Sequence, residues 1–151
     1  MIINTKEIST RVKYGSMIFT IIVSLIIVAI FLLRLKNPNN IVIPLIGIFI
    51  LYFVFLSIKN YNYIYYNSNG LKIIIRYISL SPFAAGNYSI EFSRQEFVKG
   101  EIKTKYAGLR TELTIFVQTN QGVAKFKPVS LSTLSKKEQE ALIQDIETIK
   151  N

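Results

Sequence analysis

The side chains best suited to chemistry are missing from this sequence. It contains no His and no Cys, which removes the usual general base, the usual metal ligand, thiolate nucleophiles and every His-dependent triad. No phosphate-cradling glycine loop, dinucleotide glycine pattern, calcium-loop pattern or nucleophile elbow occurs. The carboxylates Glu91, Glu96, Glu101 and Glu112 are spaced as outward charges on strands or strand edges, not as a paired acid and base. The sequence therefore predicts no catalytic residues, no metal site and no cofactor. A basic set stands out instead: Lys99, Lys103 and Lys105 in one segment, Arg110 in the next turn, and Lys125 and Lys127 in a later segment. In a strand, alternate residues share a face. Lys99, Lys103 and Lys105 then form one row, and Lys125 and Lys127 another. If the rows meet they make a cationic patch for an anionic surface. With Glu101 and Glu112 interspersed they make an ordinary solvated face. Nucleic acid is not an expected partner, because the aromatic and basic residues do not interleave as a stacking platform.

Two apolar stretches determine where such a patch would sit. Ser16 to Leu33 and Ile41 to Ile58 carry no charged residue, and each has the length of a helix crossing a hydrocarbon core of about 30 Å. The link Arg34-Leu35-Lys36-Asn37-Pro38-Asn39-Asn40 is polar and breaks helix. The expectation is an antiparallel transmembrane hairpin over residues 16–58, preceded by a polar segment, 1–15, and followed by a water-facing domain, 60–151. The first run is long for a signal peptide and lacks a small-x-small cleavage pattern, so it reads as an uncleaved anchor. A short amphipathic helix over Thr5 to Tyr14 is a further option. Within the second stretch, Pro44 is expected in the first helical turn, and Ser24 and Gly47 are small enough to permit close helix contact. Lys6, Arg11, Lys13, Lys59, Lys72 and Arg76 lie on one side of the hairpin, and Arg34 and Lys36 on the other. Six against two predicts both termini in the cytoplasm. The net charge of +9 fits these topology determinants or attraction to anionic lipid.

After Lys59 the periodicity changes from helical to alternating. Tyr61 to Tyr66, the turn Asn67-Ser68-Asn69-Gly70 and Leu71 to Ile78 read as a hairpin with Leu71, Ile73, Ile75 and Tyr77 on one face. A loop with Pro82 and Gly86 follows, then a strand over Tyr88 to Phe92. Phe97 to Tyr106 has Val98, Ile102 and Tyr106 inward. Thr111 to Thr119 has Leu113, Ile115 and Val117 inward, and Val123 to Lys127 completes the set. The chain closes with a helix opened by the capping box Ser135-Lys136-Lys137-Glu138. Its stripe of Leu142, Ile146 and Ile149, widened by Ile143, should close one end of the sheet.

This order resembles the bacterial pleckstrin-homology-like membrane proteins, in particular the small family with a membrane hairpin followed by a YcxB-like domain. The residues that carry the likeness are Asn69-Gly70-Leu71-Lys72-Ile73, Ser89-Ile90-Glu91-Phe92-Ser93, and Phe126-Lys127-Pro128-Val129-Ser130-Leu131 leading into Ser135 to Glu140. The resemblance implies a membrane-anchored α+β protein: a small antiparallel barrel or sheet capped by a C-terminal amphipathic helix. Phosphoinositide-binding relatives place basic residues around the first hairpin loop. Here Asn67, Ser68 and Asn69 are uncharged, and only Lys72 and Arg76 fit that pattern. The function expected is a non-enzymatic inner-membrane protein presenting a cytoplasmic interaction domain to a protein partner or to anionic membrane lipids. The other class that fits is an immunity protein or a small accessory subunit of a larger membrane complex.

Overall fold

The computed structural model describes residues 1–33, 37–81 and 86–150. Arg34, Leu35 and Lys36 of the expected link, and Pro82 of the expected loop, lie outside the described residues. The layout is α+β: two long apolar helices, two antiparallel sheets and a C-terminal helix.

The first element has no signal in the local sequence pattern. Ile2–Asn4 forms strand β1, ahead of both long helices. It leads through the buried Thr5 into helix α1, Lys6–Leu32, and then helix α2, Asn39–Lys59. Nothing at Ser16 stops a helix, so the optional Thr5 to Tyr14 helix and the first apolar stretch merge into α1. At about 1.5 Å per residue it is about 40 Å long. Both helices are long and apolar enough to cross a membrane, and much of their apolar surface, including Leu25, Phe31, Ile43 and Leu51, is exposed.

Two details of the pair differ from expectation. Pro44 lies in the second turn of α2 rather than the first, because the helix begins at Asn39. The helices also meet through rings, with Phe19 packed 4.3 Å from Tyr52 and 6.3 Å from Phe49. Gly47 has open space where a Cβ would stand, so it is not a close-contact point. Asn60 ends α2 in the left-handed conformation (φ 44°), its N–H donating to the Leu56 carbonyl. Asn tolerates that conformation better than most side chains.

The remaining strands are β2 (Asn62–Asn67), β3 (Lys72–Ser79), β4 (Asn87–Ser93), β5 (Phe97–Lys105), β6 (Arg110–Thr119), β7 (Gly122–Lys125) and β8 (Val129–Ser130), with helix α3 over Lys136–Lys150. One sheet has the order β1-β2-β3-β4; the other has β5-β6-β7, with β8 also on β6. Ile64, Tyr66, Ile73, Ile75, Tyr77, Ile90 and Phe92 from the first sheet share one core with Leu113, Ile115 and Val117 from the second. Leu142 and Ile146 of α3 close it. The expected alternation holds in β3 and β6. Leu71 does not join it: it precedes the strand in the turn and is 91 % exposed.

Strand β5 departs from simple alternation. Phe97 pairs with Val117 but Lys99 pairs with Phe116, so Val98 is an extra residue in a bulge. Beyond it Gly100 and Ile102 face the core side, opposite Ile115 and Leu113. A Cβ on Gly100 would stand 2.9 Å from Ile146 Cγ2, which is why α3 can lie so close to β5 there. Ile102 is past the cover of α3 and exposed, and Tyr106 has left the strand for the turn.

The cap of α3 is as the sequence predicts. The Glu138 N–H donates to Ser135 Oγ (3.3 Å), and Glu138 Oε2 accepts from the Ser135 N–H (2.8 Å). A polar cluster joins this helix to β2. Tyr66 Oη and Ser68 Oγ both donate to Asp145 Oδ2, at 2.7 and 2.5 Å. Burial, then the Asp145 contact, pushes the Tyr66 hydroxyl well above its ordinary 10.0. Below pH 10 that hydroxyl is neutral in both folded and unfolded chains, so its stabilisation is fully present. Above pH 10 the unfolded chain releases the proton and the folded chain does not, so stability falls as pH rises. Tyr66→Phe is expected to flatten this alkaline slope in denaturant titrations between pH 8 and about 11; an unchanged slope would overturn the assignment.

Candidate cationic face

The outer face of the second sheet gathers most of the basic set. In register, Lys99 stands opposite Phe116, Lys103 opposite Glu112 and Lys105 opposite Arg110, while Phe116 also stands opposite Lys125 on β7. Directly opposed residues of an antiparallel pair lie on the same side of a sheet. The two rows therefore meet, and Lys99, Lys103, Lys105, Arg110 and Lys125 share one face. Lys127 is placed differently. It lies beyond the end of β7, with Nζ 4.9 Å from the ring of Tyr88 on β4. The chain leaves the strand before Pro128, so Lys127 turns toward the other sheet.

Two carboxylates thread the face. Glu101 is bonded to Lys99 at 2.6 Å and lies 3.5 Å from Lys103. The Lys99 hydrogen bond and the charges of Lys99 and Lys103 outweigh desolvation and hold its carboxyl below the usual range. Glu112 is not the outward solvated charge its spacing suggests. It is buried, 2.5 Å from Arg110 and 2.9 Å from Lys105, because the long side chains on either side fold over it. Five cations against two carboxylates leave three positive charges uncompensated.

The parity of Phe116 is that of an outward residue, since its neighbours Ile115 and Val117 are inward, but a search for charged groups passes over it because it carries no charge. It is the hub of this face, with Lys99 Nζ 4.7 Å and Lys125 Nζ 5.8 Å from its ring. Each contact contributes about 0.5–1 kcal/mol at an exposed site, and together they hold the two ammonium groups above an apolar floor.

The face has a direction. Lys105 and Arg110 flank the β5–β6 turn, and the first residue of that turn, Tyr106, closes a groove along α2. Lys99 lies six residues back along β5, about 20 Å at the usual strand rise. The cations nearest the long helices are thus Lys105 and Arg110, then Lys103.

The outer face of the first sheet is of another kind. A shallow cleft of about 490 Å³ there is lined by Tyr63, Tyr65, Arg76, Asn87 and Ser89. Arg76 bonds Glu91 at 3.2 Å. Among the described residues no group of three His, Asp or Glu side chains converges as a metal site. Comparison with family models, with curated proteins and with solved structures finds no match to this chain.

Proposed function

We propose that this is a non-enzymatic, two-span membrane protein whose pleckstrin-homology-like sheet domain, on the cytoplasmic side, lays the turn end of its cationic face on anionic lipid headgroups. The observation that carries this reading is the direction of the face: Lys105 and Arg110, two cations sharing the single carboxylate Glu112, flank the turn whose Tyr106 lies against the apolar half of α2 that ends at Lys59. The six-to-two distribution of Lys and Arg about the apolar segments supports the cytoplasmic side, where anionic lipid is concentrated. A Lys or Arg near such a surface gains about 1 kcal/mol, fading over a Debye length of about 8 Å at physiological salt. The helices bring the domain to the bilayer, and the charges orient it.

Amine acylation of the full chain in vesicles tests the reading. Lys103 and Lys105 are expected to react several-fold more slowly in anionic than in neutral vesicles, with the difference lost in high salt. Lys136, at the start of α3, should react alike in both. Equal rates at Lys103 and Lys105 in the two vesicle types would overturn lipid contact.

A protein partner is the second reading, and the outer face of the first sheet favours it. Tyr and Arg are the residues enriched at the energetic centres of interfaces, and Tyr63, Tyr65 and Arg76 stand together there. An immunity protein or an accessory subunit would use this face. Arg76→Glu should then abolish crosslinking to the partner in native membranes while leaving the Lys103 and Lys105 rates unchanged; retained crosslinking would overturn this second reading.

A further inference from the structure

The turn joining β5 to β6, Tyr106-Ala107-Gly108-Leu109, has none of the Asn, Asp or charged residues usual in a solvent-facing turn. Tyr106 and Ala107 both adopt φ of 52°, and Gly108 follows at 91°. Only Gly takes such values without steric cost, so two side-chain-bearing residues are held there against preference. Backbone strain of this kind gathers at functional positions. The Leu109 N–H donates to the Tyr106 carbonyl at 3.1 Å and closes the turn. What it presents outward is apolar: Tyr106 is 54 % exposed and Leu109 40 %.

The location of the turn gives that exposure a meaning. Tyr106 lines a groove with Phe49, Phe53, Val54 and Ile58 of α2. These residues belong to the uncharged run that ends before Lys59. If α2 crosses a bilayer, a side chain beside them sits at or below the headgroups. Tyr suits that depth, with an apolar ring and a hydroxyl that reaches water. Lys105 and Arg110 immediately flank the turn, at the height where phosphates lie.

We propose that the Tyr106–Leu109 turn is a wedge inserted into the lipid interface alongside α2, giving the sheet domain a third point of membrane attachment after the two helices. The occupant of the groove is the lipid of the bilayer that α2 crosses. The wedge rests on the reading that α1 and α2 span a membrane, but not on the cationic face. It fixes the tilt of the β5–β6 hairpin, so that Lys103, Lys105 and Arg110 meet headgroups as a consequence of insertion.

The chain contains no Trp, so a single introduced Trp reports its own depth. Four variants of the full chain are reconstituted in vesicles of neutral phosphatidylcholine brominated on its acyl chains. Tyr106→Trp and Leu109→Trp probe the wedge. Leu25→Trp probes the middle of the apolar stretch Ser16 to Leu33 of α1, where Leu25 is 62 % exposed. Val123→Trp probes the start of β7, beside the β6–β7 turn, where Val123 is 57 % exposed; the ten residues of β6 put it about 30 Å from the wedge. Leu109→Trp and Tyr106→Trp are expected to give blue-shifted emission, with losses to bromine approaching that of Leu25→Trp. Val123→Trp should be quenched by aqueous acrylamide instead. If Leu25→Trp is quenched by bromine while both turn variants behave like Val123→Trp, the wedge is overturned and the spanning helices stand. If Leu25→Trp escapes bromine, the spanning reading fails and the wedge with it. Neutral lipid keeps the result independent of the cationic face.

Discussion

Glu112→Gln is expected to destabilise the sheet domain by about 3 kcal/mol, the lower end of the cost of leaving a buried charge without its partner. The Glu112 side chain is 4 % exposed and that of Arg110 17 %, so the guanidinium cannot turn fully into water once the carboxylate is gone. Among the described residues its Nε already lacks a hydrogen-bond partner. Lys105 loses less, because its side chain is about half exposed and its ammonium can be rehydrated. Charge and stability should therefore separate. The variant raises the net charge of the face while lowering the denaturation midpoint of the domain. Replacing both Arg110 and Glu112 by apolar residues of similar volume should recover most of the loss, since a buried ion pair is often no better than good packing. An unfolding free energy within about 0.5 kcal/mol of the parent for Glu112→Gln, the usual range for an ordinary surface change, would mean that Glu112 is solvated after all.

That carboxylate also shows where reading the sequence stops. Alternation correctly assigned the core residues of β3 and β6, Ile73, Ile75, Tyr77, Leu113, Ile115 and Val117, because a strand buried on one face writes its partner surface into every second residue. The capping box at Ser135 and the stripe of Leu142 and Ile146 were equally local and equally legible. Glu112 has the parity of an outward residue, and it is outward. Its burial comes from Arg110 two residues away and from Lys105 across the strand pair, which single-strand periodicity does not contain. The bulge at Val98 shifts the phase of β5 by one residue, and no Gly or Pro marks the spot. Tyr106 fits the inward series Val98, Ile102, Tyr106 only if the strand continues, whereas the chain has already entered a left-handed turn. For the cationic set, parity was enough to form the two rows. That they meet depends on the pairing of Phe116 with both Lys99 and Lys125, a tertiary fact. Lys127 fails for the converse reason: parity persists on paper beyond the point where the strand ends.

The largest gap between sequence and structure is β1, and it carries the second strong expectation. Three residues, Ile2-Ile3-Asn4, form an edge strand whose partner begins at Asn62, on the far side of both long helices. No local pattern specifies a pairing across such a separation, and three residues are too few to show alternation. Yet Ile3 is in the core. Thr5 fastens the junction, its N–H donating to the Ile64 carbonyl at 3.0 Å and its Oγ1 accepting from the Ile64 N–H at 2.8 Å. Residues 60–151, which by sequence alone form a self-sufficient domain, therefore lack one strand of it. Thr5 lies beside Ile64, so residues 1–5 joined to Asn60 through ten Gly/Ser residues, a linker reaching about 17 Å on average, can reoccupy the edge without either long helix. This chimera is expected to be more stable than 60–151 by about 2–5 kcal/mol, the usual cost of emptying a buried Ile site, a large share of the roughly 5–15 kcal/mol that holds a small domain together. Ile3→Ala in the chimera should return it most of the way to the fragment. If the fragment and the chimera unfold at the same denaturant concentration, β1 is a passive edge, and the domain begins at Asn60 as its sequence suggests.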